Sequence, residues 1–161
     1  MIAVRYAALA ALALWLGSTS ALGLFVAPAL DRAVPVSDPA LAAAVESVRS
    51  EILWLFHLLS YVCGAVVFAS LMVIKFVGPP PASFKARVAL VSLMLAAAAY
   101  SGLPLDREIR GLRSTIPGPV GGLPESDPRR ARLDRLQRID MTLMSANIAL
   151  GAVLLFWYVR E

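Results

Sequence analysis

His57 is the only histidine in the chain, and it stands inside a long uncharged run. An ionisable side chain at membrane depth is a functional candidate by default, able to ligate, relay a proton or bond across helices. Trp54, Tyr61 and Gly64 share its helix face at i−3, i+4 and i+7. His57 also follows Glu51 by six positions, or about 9 Å of helical rise. That is near headgroup depth, where Trp and Tyr serve as interfacial anchors. The default reading is therefore an interfacial or interhelical hydrogen-bonding histidine; the functional one is a ligand or proton relay. Asn147, with Thr142 and Ser145 nearby, is the clearest polar group in the last apolar run. An amide there joins helices at about 0.6–2 kcal/mol, or it lines a polar conduit. His57, Tyr61, Tyr100 and Asn147 form the candidate ligand or pathway set.

Other chemistry is excluded by counting. One histidine cannot supply two axial haem ligands. Cys63 is the only cysteine, so this chain alone builds no disulfide, cysteine zinc site or iron–sulfur cluster. A soft-metal set of His57, Cys63, Met141 and Met144 fails on spacing, because residues six apart do not share a helix face. Methionine is also a common apolar filler. No metal and no cofactor are expected. Neither a Gly-rich phosphate loop, nor a catalytic triad, nor paired carboxylates within an apolar run can be found, so the expectation is a protein that is not an enzyme. The net charge of +4, from 15 basic and 11 acidic residues, sits beside the apolar runs. Anionic lipid and topology account for bases there, and no aromatic–basic cluster suggests nucleic acid.

The elements that must position these residues follow from composition. Of 161 residues 59% are hydrophobic and 16% charged, with a mean hydropathy of +0.73. Uncharged runs cover residues 6–30, 52–74, 88–105 and 141–159, and a membrane-spanning helix needs about 20 such residues. The reading is an all-α integral membrane bundle of four transmembrane helices, a single domain over residues 1–161. The N-terminal run also has the look of a secretory signal, with Arg5 ahead of it and small residues at Gly17–Ala21. It continues to Leu30, however, which is span length and favours a retained helix.

The connectors carry further signals. Ser37-Asp38-Pro39 and Ser126-Asp127-Pro128 are capping residues followed by proline at the first helical position. They predict helices that run straight into the second and fourth spans. Leu30-Asp31-Arg32 and Leu105-Asp106-Arg107 end the first and third runs. Two tandem hairpins would explain both echoes; so would common residues and a good helix start. Past the third run, Ile109, Leu112 and Ile116 face Leu133, Leu136 and Ile139 across a Gly-Pro tip. This predicts a helical hairpin projecting between helices 3 and 4, with Arg129, Arg130, Arg132, Arg135 and Arg138 as its interaction face. Asp106 with Arg110 and Asp134 with Arg138 stand at i,i+4. Ten bases on that side against five on the other favour a cytoplasmic hairpin, although the Lys75–Lys85–Arg87 group pulls the other way.

At Trp15-Leu16-Gly17 and Phe25-Val26-Ala27-Pro28-Ala29-Leu30 the chain resembles the uncharacterised bacterial four-span membrane domain grouped with the transmembrane-protein-205-like proteins. Tyr100-Ser101, Ile109 and Gly111-Leu112-Arg113 are similar to that family's third helix. The fourth helix departs from it: where the family shows a leucine-histidine pair, serine and asparagine, this chain has Gln137, Asp140 and Met144, with Asn147 beyond. The resemblance implies four membrane helices and brings no chemistry. The expected function is a structural, scaffold or interaction protein of the inner (plasma) membrane. Its expected partners are the lipid bilayer and a second copy or another membrane protein. The alternative is a small oligomeric transporter or a metal- or stress-handling protein.

Overall fold

The computed structural model describes residues 2–33, 39–77, 83–116, 124 and 126–160. Every regular element among them is helical. In order they are α1 (Ile2–Ala21), a π turn (Leu22–Val26), α2 (Ala27–Ala33), α3 (Pro39–Val77), α4 (Phe84–Tyr100), a second π turn (Ser101–Leu105), α5 (Asp106–Ser114) and α6 (Pro128–Arg160). Among the described residues four helical segments are long and apolar enough to cross a membrane: Ile2–Leu30, Ser47–Val77, Phe84–Ser114 and Pro128–Arg160. This is the all-α four-helix membrane architecture that the composition predicts. Residues 78–82 after the second span (Gly78-Pro79-Pro80-Pro81 among them), the tip of the hairpin and the expected Ser37-Asp38 cap lie outside the described residues.

The lengths follow from local sequence. α3 runs unbroken from Pro39, as a proline at the first helical position and the recurrence of Leu41, Val45, Val48 and Ile52 predict. Asp127 caps α6: its Oδ1 accepts the Arg129 backbone N–H at 2.8 Å. Both π turns adjoin a proline, Pro28 two residues past the first and Pro104 inside the second. A proline in a helix has no N–H and crowds the carbonyl four residues back; widening the turn by one residue moves that carbonyl aside.

The helices alternate in direction, and each packs against its neighbours in the order first, second, third, fourth and back to first. The core contains Leu12, Trp15, Val67, Leu71, Met94 and Leu154, all at most 1% exposed. Large apolar side chains such as Phe25, Leu55, Leu93 and Phe156 point outward, as a lipid-facing surface requires.

The two halves share one plan. The steps from Leu22 to Ser101 and from Val26 to Leu105, the π-turn limits, are both 79. A Cβ at Gly64 would stand 3.0 Å from Leu95 Cγ and 3.2 Å from Trp15 Cη2; at Gly151 it would stand 3.0 Å from Leu16 Cγ and 3.1 Å from Met94 Cε. From Leu16 to Leu95 and from Trp15 to Met94 the step is again 79, while from Gly64 to Gly151 it is 87. Helices running the same way are thus equivalent, so the hairpins are related about an axis along the bundle. The registers differ from those of the Leu-Asp-Arg and Ser-Asp-Pro echoes, which are 75 and 89 apart.

The projecting hairpin is built from α5 and the first turns of α6. Leu133 and Leu136 are buried between them together with Ile116. Arg132 reaches Glu108 at 2.6 Å, and Arg129 donates to the Thr115 carbonyl at 3.2 Å. The Asp106–Arg110 pair closes at 2.7 Å, while Asp134 and Arg138 both stand exposed.

Candidate functional site

Close packing at the second π turn sets the position of His57. A Cβ on Gly102 would meet the His57 ring, 2.8 Å from Cγ, and Tyr61 Oη at 2.5 Å. Only a glycine lets α3 bring both rings this near. The His57 Nδ1 lies 2.7 Å from the Leu53 carbonyl. A carbonyl only accepts, so Nδ1 carries a hydrogen and donates it. His57 is 9% exposed, and Nε2 has no partner among the described residues.

Nε2 is one of several such atoms. A cavity of about 20 Å³ is lined by His57, Ser60, Asn147, Thr19 and Ser101, with Met144 among its apolar walls. Ser60 Oγ and Asn147 Oδ1 also lack partners among the described residues, and their residues are 1% and 8% exposed. Each such buried group costs about 1–3 kcal/mol if left unmet, and a cavity of this size has room for one ordered water to meet them. Asn147 follows Asp140 by seven residues, about 10 Å of rise, which sets the cavity inside the span. Ser60 and Asn147 are equivalent under the internal repeat, so the polar groups gather around the bundle axis at one depth.

The cavity adjoins a larger vestibule of about 170 Å³ at the hairpin end, and His57 and Ser101 line both. Its polar wall is Arg49, Asp106, Arg110, Arg113, Gln137 and Asp140; Leu22, Ile52, Leu53 and Ile109 form much of the apolar wall. Ser101 Oγ donates to Asp140 Oδ1 and links the third and fourth spans where the two spaces meet. Toward the termini the bundle is closed by Trp15, Val67, Met94 and Leu154.

Of the four pathway candidates, His57 and Asn147 share the inner cavity. Tyr61 packs behind His57, its hydroxyl 3.5 Å from the Ala98 carbonyl, and lines neither space. Tyr100 is 52% exposed: it precedes Ser101, and one residue of helix turns a side chain by about 100°. Thr142 and Ser145 face outward. In the hairpin, Arg129 and Arg132 are engaged within the hairpin itself, and Arg135 and Arg138 are exposed. No group of three or more metal-ligating side chains occurs among the described residues.

Sequence reasoning missed Thr19, Ser60, Ser101 and Asp140. Asp140, Met144, Asn147 and Gly151 form one helical stripe, and His57, Ser60 and Gly64 form another. That periodicity was the signal. Arg87 was missed as well: it is 3% exposed, donates to the Trp157 carbonyl at 3.3 Å and lies 5.1 Å from the Tyr158 ring centroid. It ties the start of α4 to the end of α6.

No family model, no curated protein and no solved structure matches the chain.

Proposed function

We propose that this is a non-catalytic, multi-pass protein of the inner (plasma) membrane that binds a small ligand through the vestibule at its hairpin end. The observation that supports this reading is the vestibule of about 170 Å³ leading to buried polar atoms that have no partner among the described residues. Ligand sites are concave, mostly apolar, and carry a few convergent polar groups; this space has that character. Membership in the four-span family that Trp15-Leu16-Gly17 and its neighbours resemble is part of the same proposal, as is a cytoplasmic hairpin.

The scaffold reading has one supporting observation. The apolar stripes of α5 and α6 are used against each other, which leaves Arg107, Arg135 and Arg138 exposed. Such a face suits anionic lipid headgroups at the membrane edge better than an apolar protein partner. The transport reading requires the core on the terminal side to open, and Trp15 and Leu154 fill it.

Cysteine accessibility tests the proposal. In a Cys63→Ala background, Ser101→Cys and Gln137→Cys react with a charged, membrane-impermeant thiol reagent applied to the hairpin side, and Val91→Cys does not. A Ser101→Cys variant as unreactive as Val91→Cys means the vestibule is not open to water, and the proposal fails.

A further inference from the structure

Resting on that ligand-binding reading, we infer that the vestibule's ligand is a phospholipid, with its phosphate among the vestibule arginines and a chain leaving sideways between the first and fourth spans. The internal repeat shows that the space has two unlike sides. Leu22 and Ser101 are equivalent, 79 residues apart, and Leu53 and Asp140 are equivalent, 87 apart; all four line the vestibule. At both pairs the first half supplies leucine and the second half a polar group. One side is therefore apolar and the other polar, which is the division an amphiphile needs.

The vestibule also reaches the lipid-facing surface. The first span packs on α6 as far as Gly23, where a Cβ would meet Met144. Beyond that rung α2 packs on α3, with no comparable contact to α6 among the described residues. Leu30 and Met141 stand where the two spans part, and both line the vestibule. Met141 is also 61% exposed on the outside of the bundle, so one side chain borders both the vestibule and the lipid. Leu30 ends the first uncharged run and Met141 begins the fourth, which sets this gap at the edge of the hydrocarbon. The equivalent seam between the second and third spans carries Trp54 in place of Met141, and Trp54 does not line the space.

On the polar side, guanidinium groups outnumber carboxylates by three to two: Arg49, Arg110 and Arg113 against Asp106 and Asp140. Each carboxylate already receives a hydrogen bond or ion pair, Asp106 from Arg110 at 2.7 Å and Asp140 from Ser101. An arginine engaged on one edge keeps further N–H groups, in a fork that matches phosphate oxygens. Gln137 adds two amide hydrogens. A volume of about 170 Å³ holds roughly ten waters, enough for a phosphate and the glycerol behind it. A free phosphate ester would satisfy the arginines and leave Leu22 and Leu53 against water; a lipid covers both sides.

The test uses the full chain in mild detergent and three matched probes: lysophosphatidic acid, the monoacylglycerol with the same chain, and glycerol 3-phosphate. Native mass spectrometry counts what is retained, and a lysophosphatidic acid with a diazirine near the top of its chain maps where it lies. We expect one lysophosphatidic acid per chain, held at least tenfold better than either other probe. Its adducts should fall on the stretches around Leu30 and Met141 and disappear with excess unlabelled lipid. Arg110→Gln with Arg113→Gln should reduce the preference over monoacylglycerol to within twofold, while Arg135→Gln with Arg138→Gln, an equal loss of charge on the outer face, should leave it. Glycerol 3-phosphate bound as well as the lipid would assign the site to a soluble anion and overturn the inference. So would adducts confined to outward residues such as Leu93 and Phe156, or full preference in a folded Arg110→Gln, Arg113→Gln protein. The probe comparison and the adduct map on the unaltered chain decide the matter even if that variant misfolds. Ser101→Cys labelling is independent of ligand choice, so it separates failure of this inference from failure of the vestibule itself.

Discussion

Replacing Gly102 by alanine is the sharpest test of how His57 is placed. The added methyl would stand 2.5 Å from Tyr61 Oη and 2.8 Å from His57 Cγ, well inside van der Waals contact. Neither ring can swing away freely, because Tyr61 is hydrogen-bonded to Ala98 and His57 to Leu53. Overpacking of this kind costs about 1–3 kcal/mol. The gain in helix propensity on replacing glycine by alanine returns at most about 1 kcal/mol, so the net effect is a loss of roughly 1–2 kcal/mol. Gly111 in α5 is the matched control: nothing lies within 4 Å of the new methyl, and Gly111→Ala should gain about 0.5–1 kcal/mol. Gly64→Ala falls between, since the atom in its way ends the flexible Leu95 side chain. Equilibrium unfolding in mixed micelles, followed by tryptophan fluorescence, ranks the three. The His57 ring signal in NMR should shift only in Gly102→Ala. A Gly102→Ala protein as stable as Gly111→Ala, with an unshifted His57 signal, would refute the close approach and the site built on it.

Arg129 holds the Asp127 carboxyl below its usual range through side-chain and backbone N–H bonds. A lowered carboxyl contributes stability above its ordinary value of about 3.9 and loses it as pH falls through the lowered one. Protection of the first amides of α6 should therefore persist down to about pH 4; loss beginning above pH 5 would contradict the cap. The Arg132–Glu108 pair has side chains 64% and 44% exposed, and a double-mutant cycle should give only about 0.2–1 kcal/mol, shrinking with salt. Arg87→Lys keeps the charge and loses the planar stack on Tyr158, so thermal unfolding should show a loss of about 0.5–2 kcal/mol. An unchanged midpoint would mean that the guanidinium plane contributes nothing.

The fold was legible because each apolar run has a bilayer's length and a charged boundary. Ser126-Asp127-Pro128 announced the start of α6 for a local reason, a carboxylate reaching the next amides, and local reasons survive folding. The site was legible only where one residue stood out by type, as His57 and Asn147 do. Ser60, Thr19 and Ser101 look like ordinary small residues in an alanine-rich chain, and they become a site only when three helices converge. Tyr100 misled because an aromatic beside a polar residue looks like a partner, whereas the helix turns the two in different directions. Neither prolines nor glycines announced the π turns, since the same residues also end helices.

The ring of helices closes between the first span and the fourth, and Gly23 meets Met144 as Leu16 meets Gly151. These two spans run antiparallel, so Ile2 and Arg160 finish at the same end of the bundle. The backbone order is therefore one of several ways to thread the same packing. A circularly permuted chain that opens between the second and third spans and joins the old termini by a short flexible linker should assemble the same vestibule. Co-expressing the two hairpins as separate polypeptides should do so too, with Trp15 and Met94 joining one core across the break as they do in the intact chain.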